Sequence, residues 1–137
     1  IPNDPAIFGR QLVVNAEDEI IGDESLMLIN AANISFDQVH DLVQERSGIM
    51  IPAHIEKRTN SLLSNLGMIP EDSKFTCFEL KHPGYVEQLR QAHPYLAQCR
   101  MITNSDAHYL GDIHEPIHKL SLPERSVEAV LRTLTQG

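Results

Sequence analysis

Three side chains in this sequence have the type and spacing to hold a metal ion. Asp106-Ala107-His108 sets a carboxylate and an imidazole two residues apart. Residues i and i+2 leaving a strand point to the same side, so an oxygen and a nitrogen ligand would be aimed into one space. A metal that accepts mixed nitrogen and oxygen coordination suits such a pair: zinc, manganese or iron. The third is His54, which closes the run Ile51-Pro52-Ala53-His54. An Asp-x-His triplet is common by chance, and a lone histidine after an apolar run is more often packed than ligating. Position is what links them. Both segments follow runs that read as buried strands, and in α/β folds functional groups gather at the carboxyl ends of parallel strands.

Four further residues could face a substrate there. Lys57 and Arg58 follow His54, and Asn60-Ser61 could start a helix. A phosphate could then be held by a cation and free backbone N–H groups together, with a solvated loop as the plainer reading. Glu79 would sit near the same rim at the end of an apolar run, either facing substrate or pairing with a cation. His114, in Gly111-Asp112-Ile113-His114-Glu115, could reach the site from a loop, although a surface histidine is the simpler reading. His40, His82, His93 and His118 read as structural or solvent-exposed.

The elements that would position these residues come from periodicity and punctuation. Residues 11–28 alternate short apolar runs with polar stretches, as short strands joined by turns do. Ser35 and Gln38 form a capping-box pair, and Phe36, Val39, Leu42 and Val43 recur at helical spacing. That helix should end near Arg46, with Gly48 taking the left-handed position past it. Three apolar runs at residues 49–51, 75–80 and 100–103 read as strands buried on both faces, with helices expected at residues 61–66 and 85–92 between them. Val127, Val130, Leu131 and Leu134 mark a last amphipathic helix, entered through Ser121-Leu122-Pro123-Glu124. Strands alternating with helices imply parallel pairing and an α/β architecture. The expected organisation is a short-strand segment over residues 1–34 and alternating helices and strands over 35–137.

The segments Ile51-Pro52-Ala53-His54 and Asn104-Ser105-Asp106-Ala107-His108, about 50 residues apart with helices between, are similar to the later motifs of the polymerase and histidinol phosphatase (PHP) family. The similarity covers roughly residues 48–119. The resemblance implies the C-terminal part of a distorted (βα)7 PHP barrel of parallel strands, whose carboxyl ends carry up to three divalent metals that activate water against phosphoesters. His54 would match the histidine of the family's "PAH" motif, and Asp106 and His108 its closing DxH. The family opens with an HxH motif on its first strand, followed by further ligands, and nothing upstream of His54 supplies them here. A catalytic metal needs roughly three protein ligands and an open position for water. The resemblance therefore implies a metal-dependent phosphoesterase of which this chain is a partial PHP domain, not competent alone, with a site that is empty or holds a single weakly bound ion. A non-catalytic binding or assembly domain is the alternative.

Composition bounds the partners. The chain has 137 residues, 42% hydrophobic and 22% charged, as an ordinary globular domain does. No apolar run approaches the roughly 18 residues of a membrane span. Nineteen acidic residues against eleven basic ones leave a net charge of -8, which repels a phosphate backbone and disfavours nucleic acid. A small phosphorylated substrate remains compatible, because bound cations would dominate the field. Cys77 and Cys99, the only cysteines, form no metal-binding pattern and read as free thiols in a reducing cytoplasm. The start at Ile1, with neither initiator Met nor signal sequence, suggests a natural N-terminus further upstream. An opened barrel edge would then favour a dimer, or pairing with the missing N-terminal part.

Overall fold

The computed structural model describes residues 1–136, and the chain forms two compact units, Ile1–Ile34 and Ser35–Gly137. In the first unit, α1 (Pro5–Phe8) begins with Pro at its first position, and the Asp4 carboxylate accepts from the backbone N–H of Ala6 at 3.0 Å. Strands β1 (Leu12–Val14) and β2 (Ile20–Asp23) pair antiparallel, with Leu12 opposite Asp23 and a break in register between Val13 and Val14. The Asn15 side chain closes the connection by accepting from the backbone N–H groups of Glu17 and Glu19 at 3.0 and 2.9 Å. The Gln11 side chain stitches the hairpin to the following segment, donating to the carbonyls of Glu24 and Leu26 and accepting from the N–H of Leu28. None of residues 1–34 is buried, so hydrogen bonds rather than a core define this unit.

The second unit carries the core. Helix α2 (Phe36–Gln44) starts on the Ser35/Gln38 capping box, with both reciprocal bonds formed at 3.2 and 2.8 Å. Beyond its end, Ser47 and not Gly48 takes the left-handed conformation, at φ 56°. Gly48 answers a different need: a Cβ there would lie 2.9 Å from Val43 Cγ1. Helix α3 (Leu62–Leu66) ends on Gly67 at φ 72°. Strands β3 (Cys77–Leu80) and β4 (Arg100–Thr103) pair parallel, joined by α4 (Val86–Ala92) and short 3-10 turns. Helix α5 (Val127–Thr135) is capped by Ser126, whose side chain accepts from the N–H of Ala129 at 3.1 Å, so the entry lies a few residues later than Ser121-Leu122-Pro123-Glu124.

Phe75, Phe78, Ile55, Leu80, Leu96 and Cys77 are fully buried, and Phe36 and Val39 of α2 and Val86 and Leu89 of α4 pack against them. Phe75 meets Phe36 and Tyr95 edge to face at centroid distances of 6.0 and 5.0 Å, and the Tyr95 hydroxyl donates to the Phe75 carbonyl at 2.7 Å. Both cysteines are buried free thiols; burial pushes the Cys77 thiol up to about 11.

The barrel expected from the family resemblance is not formed. Among the described residues the strands make two two-stranded sheets, one antiparallel and one parallel, which gives a small mixed α/β architecture. The apolar run at residues 49–51 forms no regular strand. Its continuation does lie beside β3: the N–H of Glu79 donates to the Pro52 carbonyl and the N–H of Ile55 to the Glu79 carbonyl, each at 3.0 Å. In a regular parallel pair the second bond would come from His54. One extra residue is therefore accommodated, as in a bulge, and Pro52 has no N–H to extend the ladder. This interruption keeps the run from joining as a regular third strand, and among the described residues β3 and β4 are the one parallel pair, too few strands to close a barrel. Among the described residues no helix is long and apolar enough to cross a membrane.

Candidate functional site

His54 sits at the bulge beside the carboxyl end of β3, and Asp106 and His108 follow the carboxyl end of β4. The parallel pairing brings these ends together. The Nε2 atoms of His54 and His108 lie 4.0 and 3.6 Å from the same Oδ1 atom of Asp106. Lys57 Nζ donates to the other carboxylate oxygen, Oδ2, at 2.7 Å. The His54 and Asp106 side chains are largely enclosed, at 16% and 19% exposure, whereas His108 is 75% exposed.

The same two enclosed residues are among the five described non-glycine residues with positive φ, the others being Asp18, Ser47 and Asn60. His54 has φ 32° and Asp106 φ 50°, a region that side-chain-bearing residues seldom occupy and that costs of order 1–3 kcal/mol each when held by the surrounding fold. For His54 the bulge is the local cause. Asp106 follows β4, and the Lys57 bond, reaching across 49 residues, ties its side chain in place.

The Lys57 hydrogen bond holds the Asp106 carboxyl below the usual carboxylate range. Partial burial opposes this, and the charges of Lys57, His54 and His108 reinforce it. The site therefore contains one ionised carboxylate with a cation on one oxygen and two imidazoles facing the other.

In kind, these donors suit one divalent ion of borderline softness. Each imidazole nitrogen lies too far from the Asp106 oxygen for a hydrogen bond, at 4.0 and 3.6 Å. In spacing they are open. Ligands at about 2.05 Å in a tetrahedron stand about 3.3 Å apart, so the gaps of 3.6 and 4.0 Å would have to close by about 0.3 and 0.7 Å. As placed, no group of three or more His, Cys, Asp or Glu side chains among the described residues can hold an ion. The solvent-exposed His108 has the freedom to close its gap of about 0.3 Å, whereas the gap of about 0.7 Å belongs to the enclosed His54 on its strained backbone, and a multi-metal cluster finds no further ligands among the described residues. The buried Nδ1 of His54 has no hydrogen-bond partner, so the second contact that usually orients a ligating imidazole is lacking.

The remaining candidates separate. Lys57 belongs to the cluster, while Arg58 is exposed on the loop beyond it. Glu79 faces Asn104, whose side-chain amide donates to it at 2.8 Å. His114 is exposed, and the neighbour of its ring is His118 at 6.5 Å. The start of α3 offers no open anion site: Ser61 already accepts from the N–H of Ser64 at 3.1 Å, and the helix is five residues long. Sequence reasoning missed Glu56, whose Oε1 accepts from the backbone N–H of His82 at 2.8 Å and ties the His54 loop to the segment after β3. The unbroken charged run Glu56-Lys57-Arg58 after the apolar Ile55 was the available signal. No protein-family model, curated protein or solved structure matches the chain.

Proposed function

We propose that this chain supplies part of the metal site of a phosphoester hydrolase of the PHP type, with His54, Asp106 and His108 as the ligands of one divalent ion: zinc, manganese or iron. The observation that carries the reading is the meeting of these three side chains, two of them on strained backbone, at the carboxyl ends of parallel-running segments. The reading rests on that cluster and not on a barrel. A bound ion would supply Lewis acidity and a water of lowered pKa. The chain's own groups do the rest. Lys57 keeps Asp106 ionised, and Lys57 and Arg58 place positive charge where a phosphoryl group would enter. With three candidate ligands, one of them exposed, the chain by itself would hold the ion weakly and would not be competent for turnover alone.

Equilibrium dialysis of the chain against Zn²⁺ or Mn²⁺, with bound metal counted by mass spectrometry, tests this directly. One equivalent is expected, with affinity reduced about tenfold or more in His54→Ala and in Asp106→Asn. Retention of no ion, or equal retention by both variants, would overturn it.

A second reading, a binding or assembly domain without catalysis, is favoured by a separate observation. Leu12, Val13, Val14, Ile20 and Ile21 of the hairpin are all exposed, and apolar surface of that kind usually has a partner. Under this reading a second copy of the chain covers the hairpin.

A further inference from the structure

A cavity of about 450 Å³ adjoins the cluster, within the size range of small-molecule sites. Its walls divide by chemistry. Lys57 and Arg58 contribute cations, His82 and Tyr85 contribute aromatic rings, and Leu63 and Leu89 give apolar surface. The two rings meet edge to face with centroids 6.2 Å apart, and Tyr85 is 51% exposed, so a flat group can reach it. Glu56 also lines the cavity, and its bond to the backbone N–H of His82 fixes the aromatic wall relative to the cationic one. Lys57 belongs to both places: it lines the cavity and its ammonium bonds Asp106.

From this arrangement we infer that the cavity holds the organic part of a phosphorylated ligand and that this part is a flat ring system, with the phosphate at Lys57 and Arg58 and the ring against Tyr85 and His82. A cationic wall alone would accept any phosphate. The aromatic and apolar walls add an energy of contact that a ringless phosphate cannot collect, since stacking on an aromatic side chain tolerates any flat ring. The inference deepens the hydrolase reading by naming its substrate class, and it rests on that reading only for the fate of the phosphate, not for binding.

Calorimetric titration of the chain with adenosine 5′-monophosphate, ribose 5-phosphate, adenosine and inorganic phosphate tests it. Adenosine 5′-monophosphate should bind about tenfold more tightly than ribose 5-phosphate. Tyr85→Ala should abolish that difference, Tyr85→Phe should keep it, and Arg58→Ala should weaken both phosphates while sparing adenosine. Tyr85 and Arg58 are exposed, and a thermal melt of each variant establishes that it is folded. Equal affinity for the two sugar phosphates, or a preference that survives Tyr85→Ala, would overturn the inference. If ring preference holds while the chain binds no Zn²⁺, the cavity stands and the hydrolase reading falls; if Zn²⁺ binds at His54 and Asp106 without ring preference, the reverse applies.

Discussion

The charge state of the cluster is decided by one contact, that of Lys57 with Asp106. Because the folded-state pKa of Asp106 is lowered, the contribution of this bond to stability is present above the ordinary carboxylate range and is lost as pH falls through the folded pKa. Carbon-13 NMR of the Asp106 carboxyl should show a midpoint below the ordinary value of about 3.9, moving up toward it in Lys57→Met. A midpoint indifferent to that substitution would mean that the bond does not control the charge. Sequence reasoning marked both residues but assigned them separately, Lys57 to substrate and Asp106 to metal. Their pairing joins positions 49 residues apart, and no local pattern encodes a contact of that range.

Among the elements, α2 and its entry were the most legible, because caps are read from a few adjacent residues. The Ser35/Gln38 box formed as its spacing implied, and Ser35→Ala should cost about 1 kcal/mol. The exit was misread at one position. Ser47 bears the left-handed strain, so Ser47→Gly should stabilise by about 1 kcal/mol. Gly48→Ala should destabilise by about 1 kcal/mol or more, since the new methyl meets a stiff β-branched side chain at 2.9 Å. Urea unfolding with unchanged slopes would report all three as shifts of midpoint, and a lower midpoint for Ser47→Gly would remove the strain assignment. The run at residues 49–51 illustrates the opposite case. Apolar composition marked it as a strand, but a ladder also needs N–H groups in register, and Pro52 and the extra residue at His54 interrupt them.

Over the whole molecule, the contrast between a unit with a buried aromatic core and a hairpin unit with none sets the expectation for association. The exposed apolar side chains of β1 and β2, with Ile21 at 65% exposure, offer both a sticky face and unpaired strand edges. Sedimentation equilibrium at micromolar concentration should detect a dimer, and introducing Val14→Lys with Ile21→Lys should return it to monomer. A wild-type chain that stays monomeric would remove the assembly reading.

What the sequence determined by itself was local: the capping box of α2, the positions of α3 and α4, the apolar stripe of α5 though not its entry, the extent of β4 at Arg100–Thr103, the free thiols, and the identity of the residues able to ligate a metal or carry charge. These follow from hydrogen bonds and side-chain periodicity within a few residues. Tertiary structure alone decided that β3 and β4 form a two-stranded parallel pair and not part of a barrel, that Lys57 reaches Asp106, and that His54 and Asp106 bear positive φ. Each depends on which distant segment supplies the partner for a backbone or side-chain group, and that choice is made by the packing of the chain as a whole.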